Sequence, residues 1–145
     1  MLSVTRRFMK LNGLTYRQIK DFKSQKFSDV EEIKHRLAEE GLLSWEYNYD
    51  KDALHRKLTF GDFKQALAFI NSVGVFADSI DHHPEWFNVY NRLEIDLRTH
   101  DCNGVSLKDY YLACYIDAVA KKIHQKGARN YTDIIEIDQA QILGG

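Results

Sequence analysis

The sequence predicts a two-layer α+β sandwich: a four-stranded antiparallel sheet with helices on one face, in the order ββαββα after a leading helix. Three observations carry that prediction. Apolar and polar residues alternate in four short segments that pair into two hairpins. Each hairpin is followed by a stripe of apolar residues at helical spacing. A content of 44% hydrophobic and 12% aromatic residues, with one proline, is enough for a single core in 145 residues. We expect one domain over residues 28–126, a basic extension over 1–27 and a tail over 127–145.

The leading helix opens on Ser28-Asp29-Val30-Glu31, a capping box in which the Ser28 hydroxyl accepts from the third helical amide and Glu31 reaches back. Val30, Ile33 and Leu37 form its stripe, and Gly41 stops it. Trp45, Tyr47 and Tyr49 then alternate with polar neighbours, as do Leu54, Arg56, Leu58 and Phe60, with Asp50-Lys51-Asp52 as the turn. Gly61-Asp62 opens the next helix. Its expected stripe is Phe63, Ala66, Leu67, Ile70, Val73 and Ala77, and Phe69, Phe76 and Ile80 widen it beyond one face. The second hairpin runs from Trp86 to Tyr90 and from Leu93 to Thr99 about Asn91-Arg92. Leu93, Ile95, Leu97 and Thr99 share one face, and Glu94, Asp96, Arg98 and His100 the other. Ser106-Leu107-Lys108-Asp109 caps the last helix, whose stripe is Leu112, Ile116, Val119 and Ile123. Lys121, Lys122 and Lys126 suit its carboxyl end. The tail stretch TDIIEIDQAQIL fits an extra strand or a docked segment.

The charge is uneven. Residues 1–27 carry Arg6, Arg7, Lys10, Arg17, Lys20, Lys23 and Lys26 against Asp21 alone, a local net of +6, so with −1 overall the remainder carries −7. A basic, acid-poor start fits an organelle transit segment, a nucleic-acid arm or a solvated extension. The acidic remainder argues against a core that binds nucleic acid directly. The apolar run Ala66-Leu67-Ala68-Phe69-Ile70 is far too short to cross a bilayer. Cys102 and Cys114 read as reduced thiols, so we expect a cytoplasmic protein, with nuclear or organellar placement left open by the basic start.

Three of the six histidines, His82, His83 and His100, flank the second hairpin, and Pro84 is the only proline. Neighbours on a strand point to opposite faces, so two adjacent imidazoles reach one site only where the backbone is irregular. Pro84 disfavours helical geometry at His83, and a helix-to-strand corner there aims both rings outward. In an antiparallel pair the start of one strand lies beside the end of the next, which brings His100 to the same end of the sheet. Imidazoles of ordinary pKa near 6.5, with Asp78, Asp81, Asp101 and Asp109 nearby, suit a reaction that protonates one group while deprotonating another. An elimination of water is such a reaction. Three imidazoles and a carboxylate also suit zinc or iron, but the spacing H-H-x16-H lacks the i, i+4 pattern of helical metal sites. As the acid of an S-x-x-D box, Asp109 is equally a helix cap.

The stretch D-x3-H-H-P-x-W-F-N-V-Y-N, from Asp78 to Asn91, followed by Thr99-His100-Asp101 and then Asp109, resembles the pterin-4a-carbinolamine dehydratase family. The resemblance runs from about Ser28 to Lys122 and includes Gly61-Asp62-Phe63 at the start of the second helix. It implies the same two-layer α+β fold and a hydro-lyase that converts 4a-hydroxytetrahydrobiopterin to quinonoid dihydropterin. That reaction recycles the tetrahydrobiopterin cofactor of aromatic amino acid hydroxylases. It implies His82, His83 and His100 as the catalytic set, with Pro84, Thr99, Asp101 and Cys102 as further substrate contacts. Asp78, Asp81 and Asp109 are candidate supporting carboxylates. His82 is expected as the principal acid–base group, with His83 and His100 binding the ring or positioning its 4a-hydroxyl, and Cys102 as a wall. No metal, other cofactor or covalent nucleophile is implied. The expected partners are the pterin and further copies of the chain, as dimer or tetramer, with no membrane. The rival expectation is a protein-binding module that serves as dimerisation cofactor of a transcription factor.

Overall fold

In the computed structural model, residues 26–126 apart from Ser28 are described. The order is α1 (Val30–Glu39), β1 (Glu46–Asn48), β2 (Ala53–Thr59), α2 (Phe63–Ser79), β3 (Glu85–Val89), β4 (Arg92–Leu97), a 3-10 turn (His100–Cys102) and α3 (Leu107–Lys126). The strands form one antiparallel sheet in the order β1-β2-β4-β3, so the two hairpins meet along β2 and β4. This is the α+β arrangement that the periodicities predict. The tail stretch lies outside the described residues.

Alternation on β4 sets the two layers. Leu93, Ile95 and Leu97 are buried, whereas Arg92 and Glu94 are exposed and Asp96 is half-buried. The buried set joins Leu54 and Leu58 of β2, Ile33 and Leu37 of α1, and the inner faces of α2 and α3 in one core. α3 is buried almost all round through its first half, and Tyr115 stacks on Phe76 of α2 at a ring separation of 3.8 Å. The polar residue on the inner face of β2 is paired across the layers. Arg56 reaches Asp117 of α3 at 3.1 Å, and the Trp45 indole N–H donates to the same carboxylate at 2.9 Å. No described helix is long and apolar enough to cross a membrane.

Three expectations need correction. The N-cap of α1 is Asp29, whose side chain accepts from the Glu32 amide at 2.7 Å. The N-cap moves one residue from the expected Ser28, because Asp caps as well as Ser and the extended backbone falls at Asp29. The second hairpin turns at Tyr90-Asn91, since Val89 pairs with Arg92 and Tyr90 takes φ +52°. Asn91 holds that register by bracketing Phe60: its carbonyl accepts from the Phe60 amide and its side-chain amide donates back to the Phe60 carbonyl. The stripe of α2 is also rotated. Phe69, Phe76 and Ile80, expected as surplus, are core residues, whereas Phe63 and Leu67 are 44% and 41% exposed.

Both helices that precede a site-bearing or strand segment end in the same device. At the end of α1, Gly41 (φ +72°) donates to Ala38, and Leu42 donates back to Leu37. At the end of α2, Asp81 (φ +53°) donates to the Asp78 carbonyl at 3.1 Å and His82 donates to the Ala77 carbonyl at 3.0 Å. These paired bonds form a Schellman motif, which needs one residue in the left-handed region. Asp tolerates that region because its short polar side chain bonds locally; a β-branched residue does not. Asp81→Val should therefore lower stability by about 1–2 kcal/mol, and Asp81→Gly should leave it equal or higher by up to ~1 kcal/mol. Urea unfolding midpoints at constant slope check both.

Candidate active site

The site starts from the motif that ends α2. With its amide bonded to Ala77, His82 is fixed where the chain leaves the helix, and Pro84 carries the chain into β3. The sequence reading aims both adjacent rings outward; the structure turns them apart. His82 points inward and is 8% exposed. His83 points outward, with its side chain 61% exposed, and its Nε2 lies 3.2 Å from an Asp78 oxygen that is itself exposed. A pair so open to water restrains the ring only weakly.

The inward ring ends on Asp109, the third residue of α3 and fully buried. His82 Nε2 lies 2.6 Å from Asp109 Oδ1. The other oxygen, Oδ2, accepts from the Thr99 hydroxyl at 2.7 Å and from the Ser106 amide at 2.9 Å. The Thr99 proton is thus committed to Asp109, so the Ser106 hydroxyl donates to Thr99 Oγ1 across 2.6 Å and itself accepts from the Lys108 amide at 3.3 Å. A carboxylate that accepts from Nε2–H leaves Nδ1 as the ring nitrogen free to exchange a proton. The two readings of Asp109 therefore combine. It closes the S-x-x-D box of α3 and it holds His82.

Thr99 begins the second half of the site. Its amide donates to the Gly104 carbonyl at 2.7 Å and closes a six-residue loop over His100, Asp101 and Cys102. Inside the loop Asn103 takes φ +51° and donates to the His100 carbonyl. His100 and Asp101 are exposed on it, and Cys102 is half-buried. Burial, and then the Asp109 charge, push the Cys102 thiol up, and its Sγ points to the Thr99 and Gly104 carbonyls. Little thiolate is then available for attack. Residues 26 and 27 back the loop from outside. Phe27 donates to the Val105 carbonyl at 2.9 Å, and the Lys26 stem lies so close to Gly104 that a Cβ there would stand 2.6 Å from Lys26 Cε.

Direct bonds thus join His82, Thr99, Ser106 and Asp109. Chain adjacency and the β3–β4 register, which pairs Glu85 with Asp96, bring His83, Pro84, His100, Asp101 and Cys102 to the same end of the sheet. Asp78 reaches His83. The exposed Asp81 serves as a backbone hinge, and no described contact ties its side chain to the histidines. Ser106 is the member that residue-type reasoning omits from the site, although the S-x-x-D spacing names it. Among the described residues, no three His, Cys, Asp or Glu side chains are grouped as metal ligands.

A small α+β sandwich with a buried His–Asp pair, and two exposed histidines on the neighbouring segments, is the class of domain that the fold and this cluster define. Comparison with known proteins gives that class its family. Residues 26–119 match the family model described as pterin 4 alpha carbinolamine dehydratase, and the chain belongs to that family. A Burkholderia multivorans protein provisionally named pterin-4-alpha-carbinolamine dehydratase is 48% identical over 90 residues, covering 62% of this chain and 86% of its own. A Burkholderia pseudomallei protein of the same provisional name is 46% identical over 98 residues, covering 68% and 93%. Among solved structures, a transcriptional coactivator/pterin dehydratase from Brucella melitensis superposes with a TM-score of 0.62 at 34% identity. That match covers 66% of this chain and 99% of the neighbour.

Proposed function

We propose that this chain dehydrates 4a-hydroxytetrahydrobiopterin to the quinonoid dihydropterin by histidine acid–base catalysis, and so recycles the tetrahydrobiopterin cofactor. Family membership supports the reaction class. The observation that carries the mechanism is the buried His82–Asp109 pair at the base of the two segments bearing His83 and His100. In the reaction the 4a-hydroxyl leaves with a proton as water, the N5 hydrogen departs as a proton, and the C4a–N5 double bond forms. Oxidation state is unchanged, so the chemistry asks only for proton transfer and orientation. An imidazole whose far nitrogen is held by a buried carboxylate is fixed in orientation and in tautomer, which is what a general acid–base group needs. His82 is that group. His100, on the closed loop, positions the 4a-hydroxyl or shares its proton, and His83 holds the other side of the ring.

The same reading includes self-association. Phe63 and Leu67 lie one helical turn apart on α2, are more than two-fifths exposed, and adjoin the half-buried Ile70. A contiguous apolar stripe of this kind usually marks an interface. A second copy of the chain is the occupant this reading assigns, in place of a transcription-factor partner.

If His82 carries the proton transfer, His82→Ala should lower kcat by about 10²-fold, within the usual share of one acid–base group. His83→Ala and His100→Ala should be milder and act at least as much on KM. Turnover must be read against the spontaneous reaction in buffer. A folded His82→Ala protein with near-wild-type kcat would move the chemistry to another histidine. For self-association, light scattering at micromolar concentration should give a dimer or tetramer mass, and a monomer mass would refute it.

A further inference from the structure

One charged group beside the site has no task in this account. Arg98 lies between Leu97, the last residue of β4, and Thr99, which bonds Asp109. Alternation along the strand sends its side chain to the outer face, the face opposite Thr99 and the one on which Glu94 and Asp96 lie. The residue is half-buried, and its Nε is buried without an acceptor. Arg56 shares that buried Nε, but its guanidinium is paired with Asp117. Arg98 has no ion pair among the described residues. The neighbouring carboxylate on its own face is already engaged: Asp96 holds Lys51 at 2.7 Å and His55 at 2.6 Å. Asp78 in turn holds His83. The remaining acids nearby, Asp81, Glu85 and Asp101, are exposed, where salt screens their charge within about 8 Å.

A guanidinium is a planar fork of donors that matches two oxygens of a phosphate or a carboxylate. The buried Nε of Arg98 finds no acceptor within the chain, so water or a ligand completes it. Arg98 is one residue from Thr99 and two from His100, and the antiparallel β3–β4 register that pairs Glu85 with Asp96, continued by two residues, sets it level with the outward His83. The pterin ring carries no formal negative charge for it to meet, so the complement lies on what is attached to the ring.

We propose that Arg98 is a specificity-determining residue that binds an oxyanion on the side chain of the pterin substrate. The inference rests on the dehydratase reading. Its test compares three ligands that share the pterin ring and differ in the side-chain end: a neutral hydroxyl, a phosphate ester and a carboxylate. Equilibrium binding of the dihydropterin forms is measured on the full chain by calorimetry, and dehydration of the matching carbinolamines is measured alongside. At least one oxyanion-bearing ligand should bind tenfold or more tighter than the neutral one at low salt, and the gap should narrow as salt is added. Whether phosphate or carboxylate gains more identifies the group. In Arg98→Gln that gap should close to within twofold, with Arg98→Lys between the two. Equal affinity of the wild-type chain for all three ligands overturns the inference while leaving the dehydratase reading intact. So does a gap that survives in a folded Arg98→Gln protein. Failure to dehydrate any of the three carbinolamines overturns the dehydratase reading and this inference with it.

Discussion

A carboxylate taken wholly out of water is costly unless its lone pairs are filled, and Asp109 meets that constraint by drawing one donor from each of three places. Nε2 comes from the residue just beyond α2, a hydroxyl from the end of β4, and an amide from the first residue of its own capping box. Withdrawing one partner from such a buried pair typically costs about 3–5 kcal/mol, several times the worth of an ordinary helix cap. The ends of α2, β4 and α3 are therefore tied to one atom group. The requirement that caps α3 also aligns His82.

The rest of the site follows from that tie. Because Thr99 is committed to Asp109, the loop it starts must turn back at once. It does so through the Thr99–Gly104 pair and the left-handed Asn103. Because His82 is held inward, its neighbour His83 is left outward at the start of the edge strand. One ring is buried and bonded to a carboxylate, and two are exposed. Such a division suits an elimination in which one group moves the proton while others bind and steer a ring that must enter and leave. Asp81 completes the arrangement from the backbone side, since its left-handed conformation sets the direction in which His82 leaves the helix.

Much of this was legible in the sequence, for identifiable reasons. Period-2 alternation placed Leu93, Ile95, Leu97 and Thr99 inward, and the structure keeps them there, because a strand with one dry face has no second choice of register. The S-x-x-D spacing named the bond between Ser106 and Asp109. Antiparallel pairing put the segment bearing His100 at the same end of the sheet as the start of β3. What failed was whatever depends on rotation about an axis or on a single residue's backbone. The α2 stripe drawn through Phe63 and Leu67 is offset from the true one through Phe69, Val73 and Phe76, because a helix apolar on several sides gives no unique inner face. The orientation of the His82 ring was likewise hidden. It depends on a left-handed aspartate, where no glycine signals the turn, and on a carboxylate 27 residues away.

Everything above turns on Asp109 accepting a hydrogen bond from His82 Nε2 and so leaving Nδ1 to exchange protons. Long-range proton–nitrogen correlation spectra of the nitrogen-15-labelled protein, taken at a pH where the His82 ring is neutral, report the tautomer directly. His82 should show a protonated, pyrrole-type Nε2 and a bare Nδ1, a preference that Asp109→Asn weakens. A proton on Nδ1 with a bare Nε2 facing Asp109 would contradict it.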